Sequence, residues 1–445
     1  MKRISTSILY SALCISLYGQ KAWTADDCMQ YAAEHNHEVR LEQIALDDYK
    51  SNKKSAIGAF LPSVSASISG NYNFGRAIDP ETNTYNSVPT FHNGYSISAG
   101  ITLFDGFKSV NNMRMASTMV KMGRSKEQQA EDQICLATME AYYNVIYYAE
   151  LESVLREQVP TAQTARNKAV RQEELGQKGH ADVMQMESEL AQKEYQLIHA
   201  TNQKNDALIT LKDVMFWPTT EEHLIDSHIL ADKDDLTLVT TADLTETAKA
   251  VLPSAEIATL SVKQAKLDLQ MARGAYSPRL SLSGGWSTTY YTYPGRADYK
   301  AQSFSEQFKN NSGEYVQLSL SIPIFDQLQR RTNLHLKKNA LSRAQAEYDQ
   351  TMRDIENEVA RAVNDRNGAF AAFRQADKLA TLQQEAFLLS NKQLENGLIS
   401  AIEYQTASQT YLNAMAERVN ALLLLRLKEA VVRYYQGEPY LSYNK

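Results

Sequence analysis

The chain of 445 residues has no run of about 20 consecutive apolar residues, the length a membrane-spanning helix needs. Its best stretch, Ala421–Leu425, is interrupted at once by Arg426 and Lys428. With a mean hydropathy of −0.43 and 22% charged residues, a bundle of membrane helices is excluded. If this chain meets a membrane, it does so with strands. It also lacks a basic excess: the formal net charge is −6, which excludes a stripe for nucleic acid. There is no phosphate-binding glycine loop, no His-Glu-x-x-His and no nucleophile elbow. Neither an enzyme nor a cofactor is expected. His35-Asn36-His37 does not read as a metal site, because residues two apart on a helix do not share a face. Met113, Met115, Met119 and Met122 read as helix packing.

Cysteine is scarce, with three in the chain. Cys14 lies in an apolar stretch from Ile4 to Gly19 behind Lys2 and Arg3, the pattern of a secretory signal at 1–22 with cleavage between Gly19 and Ala22. The bulky Leu13 before Cys14 argues against a lipid anchor. The mature protein keeps Cys28 and Cys135 in an oxidising compartment, where two thiols invite a disulfide.

What the chain does have is a second copy of itself. Gly58-Ala59-Phe60-Leu61-Pro62 returns as Gly274-Ala275-Tyr276-Ser277-Pro278, an offset of 216. Phe104-Asp105 returns as Phe325-Asp326 and Gly176 as Gly397, an offset of 221. Two constant offsets either side of a five-residue insertion indicate an internal duplication. The first structural repeat spans 23–216, a connector 217–247, the second repeat 248–436 and a short tail 437–445. Each repeat reads as helix, strand, loop, strand, very long helix, turn, helix.

The strands come from strict alternation. Val64, Ala66, Ile68, Tyr72 and Phe74 interleave with serine and asparagine, and Tyr95, Ile97, Ala99, Ile101 and Leu103 with Ser96, Ser98, Gly100 and Thr102. Leu280, Leu282 and Trp286 do the same in the second repeat, as do Val316, Leu318, Leu320, Ile322 and Ile324. One apolar and one small polar face suit either a barrel wall or a sheet with one solvated side. Tyr72, Phe74, Tyr290, Tyr291 and Tyr293 at the strand ends read as an interfacial girdle. Pro62 and Pro278 mark the helix-to-strand junctions, while Phe104, Pro323 and Phe325 mark the return.

The helices settle the choice. From Val183 to Val214, a seam of Met186, Leu190, Lys193, Leu197, Ala200, Lys204, Ala207 and Leu211 steps by three and four. Val359, Ala362, Arg366, Ala369, Phe373, Ala376, Ala380, Gln383, Phe387, Ser390 and Leu394 keep the same rhythm. These are coiled-coil seams rich in alanine. As one helix, Gly106–Leu175 would span about 105 Å, too long for a compact core. Pro160 is expected to interrupt and bend it. Gly176 and Gly397 read as C-cap glycines at the far turns. Four strands per chain close no barrel, and open edges in lipid cost several kcal/mol per unpaired group. Two chains would give a barrel filled by side chains, three a barrel that encloses water, so a channel favours a homotrimer.

Gly58-Ala59-Phe60-Leu61-Pro62, Ile322-Pro323-Ile324-Phe325-Asp326 and the closing Tyr434-Tyr435-Gln436-Gly437-Glu438-Pro439 resemble the TolC family of outer-membrane efflux proteins. The resemblance covers almost all of the mature chain. Thr102 departs from it where Pro323 keeps the proline, and Pro160 has no counterpart. The resemblance implies an α+β membrane protein: a trimeric 12-stranded β-barrel continuous with a coiled-coil α-helical barrel, with an equatorial collar from the termini and connector. It implies the channel of a tripartite export system in a Gram-negative outer membrane, extending into the periplasm. A periplasmic adaptor and an inner-membrane transporter would be its partners, and drugs, small molecules or secreted proteins its cargo. A surface coiled coil is the rival class, but it needs no strand pairs in mid-helix.

The resemblance also assigns roles at the far turns. Asp182 and Glu403, each six residues past its turn glycine, fall where acidic residues constrict the periplasmic entrance; by position Glu403 is the better gate candidate, and Asp182 is a candidate for tying the entrance helices together. Both equally suit a helix N-terminus favoured by the macrodipole. Leu175, Gly176, Gln177, Asn396, Gly397 and Leu398 would be the adaptor-docking contacts. A last expectation is a Cys28–Cys135 bridge. A continuous helix places Cys28 about 50 Å from Pro62, and Cys135 lies about 44 Å along the next helix, nearly the same depth.

Overall fold

The computed structural model describes residues 22–78, 83–218, 225–226, 241–294 and 302–441. The stretch expected to be a signal segment, and most of the one read as a connector, lie outside these. In chain order the elements are α1 (Ala25–His35), α2 (His37–Gly58), β1 (Ser63–Asn73), a short hairpin of β2 (Ala77–Ile78) and β3 (Tyr85–Asn86), β4 (Thr90–Phe104), α3 (Lys108–Glu174), α4 (His180–Val214), α5 (Ala242–Val251), α6 (Pro253–Gly274), β5 (Arg279–Thr292), α7 (Phe304–Asn310), β6 (Gly313–Ser321), α8 (Gln329–Glu395) and α9 (Ala401–Tyr435). α2 and α6 both have 22 residues, α3 and α8 both 67, α4 and α9 both 35. Their ends differ by 216 in the first pair and 221 in the other two, the same offsets as the sequence landmarks.

The chain divides into two units, of which one comprises Gln43–Lys126 and Pro253–Met352. It holds an antiparallel sheet in the order β1-β4-β5-β6. The register aligns Ala66 with Ile97 and Trp286, and Leu282 with Ile101 and Leu318. The other face aligns Ser67 with Ser96 and Ser287, and the Ser65–Ser98 and Ser67–Ser96 hydroxyls bond at 3.1 and 2.8 Å. Alternation in sequence thus becomes one apolar and one hydroxyl-lined face. Every residue of β1 and β6 is exposed, and among the described residues neither strand has a neighbour on its outer edge.

Three expectations change here. β6 stops at Ser321, short of Ile324, because Pro323 cannot donate to a ladder. Its counterpart Thr102 keeps its N–H, and β4 runs on to Phe104 with a register shift after Thr102. The loop before β6 contains α7, which covers the part of β5 that outlasts β6. Gln307 accepts from Tyr291 N and donates to Tyr291 O, both at 3.0 Å, in place of a strand partner. Phe304 and Phe308 pack on Tyr95, Trp286 and Tyr290. The expected girdle therefore divides: Tyr72 and Phe74 are exposed, whereas Tyr291 and Tyr293 are buried.

Pro62 and Pro278 stand immediately before β1 and β5. On the return, Asp105 accepts from Ser109 N at 2.9 Å and Asp326 from Arg330 N at 2.9 Å, which caps α3 and α8 alike. Each turn has two consecutive residues at positive φ, Gly106-Phe107 and Gln327-Leu328.

The other unit comprises the residues up to Glu42, Glu127–Leu252 and those from Arg353 onward. The first helix is not continuous. Asn36 takes an extended conformation, its Oδ1 accepts from Glu38 N at 2.8 Å, and its Nδ2 donates to Val214 O at 2.9 Å. Leu252, 216 residues on, breaks the second repeat at the same place, helped by Pro253 at the first position of α6. α5 begins at Ala242, inside the stretch read as connector. Pro160 does not interrupt α3. Leu155 and Ala162 are buried on either side of it, so packing holds the helix through the one lost hydrogen bond. Every seam position read from the sequence is buried or half-buried. Trp23 bridges to Ile225, and Tyr142 Oη donates to Asp226 O at 2.7 Å, tying the start of α1 to the described part of the stretch read as connector.

Cys28 and Cys135 are two free, buried thiols, not the expected bridge. Equal depth of the two thiols requires one helix from Cys28 to Pro62, and that helix is broken at Asn36. Burial pushes both thiols up to about 12, reinforced by Asp27 beside Cys28 and by Asp132 and Glu131 beside Cys135. That suppresses the thiolate on which disulfide exchange depends.

Candidate functional site

The turns joining α3 to α4 and α8 to α9 lie in the second of these units. Each is a Schellman motif. Gly176 N donates to Glu173 O and Gln177 N to Gln172 O, both at 2.8 Å; Gly397 N donates to Leu394 O at 3.1 Å and Leu398 N to Gln393 O at 2.9 Å. Gly176 and Gly397 sit at φ +68 and +71, the left-handed region that glycine occupies without strain. The motifs turn Leu175 and Leu398 outward, 60% and 72% exposed. Gln177 and Asn396 are exposed as well. All six turn residues singled out from the sequence are therefore presented on the surface.

Behind them is a groove of about 200 Å³ lined by residues that include Thr164, Lys168, Gln172, Lys178, Asn391 and Glu395. Lys168 Nζ donates to Glu395 O at 2.6 Å, a cation on the last carbonyls of α8 that ties the two turns together. Sequence reading missed Lys168, whose counterpart at the offset of 221 is Leu389 and carries no matching signal. Beneath the groove Met186, Phe387, Leu394 and Tyr404 form an apolar cluster, with Phe387 stacked on Tyr411 at 5.1 Å.

Asp182 and Glu403 occupy equivalent positions but different environments. Ser400 and Glu403 form a capping box: Glu403 accepts from Ser400 N at 2.7 Å and from its hydroxyl at 2.9 Å, and Ser400 Oγ accepts from Glu403 N at 3.2 Å. These bonds hold the Glu403 carboxyl below the usual carboxylate range. Before Asp182 stands Gly179, which has no side chain to complete a cap. Ser400→Ala should therefore speed amide hydrogen exchange over Ala401–Tyr404 about fivefold, a typical N-cap loss, with His180–Val183 unchanged. Equal acceleration at both turns would show that the cap is not what orders α9.

α4 and α9 face each other through amides. Gln185 donates to Gln405, Gln405 to Gln192 at 3.2 Å, and Gln196 to Gln409 at 3.3 Å. Within the same contact, Lys193 and Glu189 are an almost wholly buried ion pair at 3.6 Å. Burial pulls the Lys193 amine down, partly offset by Glu189. Among the described residues no group of histidine, cysteine or carboxylate side chains could hold a metal ion.

A family model described as outer membrane efflux protein matches residues 28–215 and 246–437. OprJ, an outer membrane protein of Pseudomonas aeruginosa, is 30% identical over 154 residues, which is 34% of this chain and 29% of OprJ's own length. The fold is similar to that of solved channels. The CmeC outer membrane channel of Campylobacter jejuni has a TM-score of 0.78 at 17% identity, covering 95% of this chain and 87% of that one. CusC has a TM-score of 0.79 at 14% identity over 95% of both chains. The open-state MtrE outer membrane channel of Neisseria gonorrhoeae has a TM-score of 0.74 at 18% identity, covering 94% and 89%.

Proposed function

This chain belongs to the outer membrane efflux protein family, and from that premise we propose that it is the passive exit duct of a tripartite export system in a Gram-negative outer membrane. Three copies close their sheets into a 12-stranded barrel wide enough to hold water, and their helices form a periplasmic coiled-coil tunnel. The observation that carries this is the sheet: one apolar face, one hydroxyl-lined face, and two exposed edge strands with no cover. In lipid those edges are tolerable only if the sheet closes. The recurring element lengths support an internal duplication in which each repeat supplies one strand hairpin and one coiled-coil arm.

The outward leucines Leu175 and Leu398, with the adjoining groove, are the docking surface for a periplasmic adaptor, which couples the duct to an inner-membrane transporter. No catalytic step belongs to this chain. Its cargo, whether drugs, other small molecules, secreted proteins or metal ions, is selected by that transporter, and the genes beside it would discriminate. Asp182 and Glu403 from three copies ring the periplasmic entrance and favour cations.

The test is made on detergent extracts of the outer membrane. The extracted protein should have the mass of three chains and form cation-selective pores in planar bilayers. Combined Asp182→Asn and Glu403→Gln substitution should weaken that selectivity and any block by divalent cations. A stable, water-soluble monomer would overturn the duct, and unchanged currents in the double variant would move the entrance ring elsewhere.

A further inference from the structure

On the barrel reading, β6 of one copy meets β1 of the next; we infer that they meet in the register that β4 and β5 already use within the chain. The two hairpins are copies in register as well as in sequence. Ser63 faces Gly100 in the first and Arg279 faces Ser321 in the second. Displacing Ser63 by 216 and Gly100 by 221 yields that second pair. The β4–β5 contact is thus a joint between two repeats, and the subunit boundary is the same joint made with a second copy.

The template is read directly. Ser98 faces Gly285, Ala99 faces Gly284, Gly100 faces Ser283, Ser96 faces Ser287 and Tyr95 faces Thr288. Carried over by the two offsets, Ser319 faces the partner's Ser69, Leu320 the partner's Ile68 and Ser321 the partner's Ser67. Gln317 then faces the partner's Asn71, and Val316 the partner's Tyr72. Apolar residues meet apolar ones on one face, and hydroxyls and amides meet on the other. A slip of one residue would turn every leucine of β6 toward the hydroxyl-lined face. A slip of two would keep the faces but lose the repeat relation, so the experiment must separate those two registers. Leu320, Val316 and Ile68 are among the most exposed apolar side chains of the isolated sheet, as residues awaiting a neighbour would be.

Cysteine pairs make the register measurable. Directly opposed residues lie about 4.5–5.5 Å apart at Cα, whereas a shift of two places them at about 7–8 Å, beyond easy bridging. Ser319 and Ser69 lie on opposite edge strands of one sheet, so a bridge between them forms only across a subunit boundary. Outer membranes carrying Ser319→Cys with Ser69→Cys should yield a covalent trimer on non-reducing gels. Ser319→Cys with Ser67→Cys, or with Asn71→Cys, should not. Native mass on each extract reports assembly separately. A trimer that bridges only through a shifted pair, or through none, overturns the register and leaves the barrel standing. An extract that is not trimeric overturns both.

Discussion

Gly106→Ala should leave little or no assembled protein in the outer membrane. A Cβ at Gly106 would lie 2.2 Å from Gly274 O and 2.8 Å from Ser277 Cβ; one at Gly274 would lie 2.3 Å from Gly106 O. Gly106 also has φ +69, but that alone is a small matter. Left-handed backbone costs a side chain roughly 1–2 kcal/mol, and Gln327, its counterpart at the offset of 221, takes φ 56 with a full side chain. The contact decides the outcome. Gly274 O cannot swing aside easily, because it accepts from Ser277 N at 2.9 Å in the turn leading to Pro278 and β5. Separating the two backbones would shift the start of α3 against the end of α6, a change expected to exceed about 4 kcal/mol. Gln327→Ala, with the same backbone but no such neighbour, should assemble as the parent does. Trimer content of the outer-membrane fraction is the measurement; near-parental trimer for Gly106→Ala would show that the junction yields.

The parts of this structure that were legible in the sequence are those imposed by a period. Strand faces repeat every two residues and helix seams every three or four, so Ile68 and Ser69, or Ala362 and Arg366, declare their side without knowledge of any partner. Gly176 and Gly397 were legible because a Schellman turn needs a residue free to take positive φ. Features that depend on a distant partner were not. The break at Asn36 is held by a bond to Val214, 178 residues away, as well as by the local bond from Glu38 N; Pro253, at the matching break, carried the plainer local sign. α7 covers the side of Tyr291 that β6 leaves open, a role no local pattern announces, although the Ser303–Glu306 capping box marks where the helix starts. Pro160 misled in the opposite sense, since local propensity argued for an interruption and neighbouring helices overrode it. At the candidate site, the positions of Asp182 and Glu403 were legible from the repeat. Their difference turns on Gly179 standing where Ser400 stands, a capping signature visible in sequence but easily outweighed by the expectation of a gate.

Glu189→Ala should be far more damaging than substitution of any exposed charged residue of α4. Lys193 and Glu189 are 1% and 2% exposed, they are 3.6 Å apart, and among the described residues neither Lys193 Nζ nor Glu189 Oε1 has a hydrogen-bond partner. Such a pair adds little stability over an apolar pair of similar volume, because desolvation offsets the attraction. Removing one member is different, since it leaves the other charge buried and uncompensated at a cost of about 3–5 kcal/mol. The pH dependence follows from the direction of the Lys193 shift. Burial lowers its folded-state value below the 10.5 of the free side chain, and Glu189 partly restores it. Between the two values the unfolded chain binds the extra proton, so stability rises with pH through that alkaline window. Without Glu189 the folded value falls further and the window extends toward neutrality. Thermal unfolding of the helical signal should show Glu189→Ala well below the parent at pH 7 and closer to it at pH 9. Glu189→Leu combined with Lys193→Met should recover the loss at both, having removed both charges. A Glu189→Ala protein that melts like the parent at pH 7 would mean that water reaches Lys193, and that α4 and α9 part more readily than their buried contact implies.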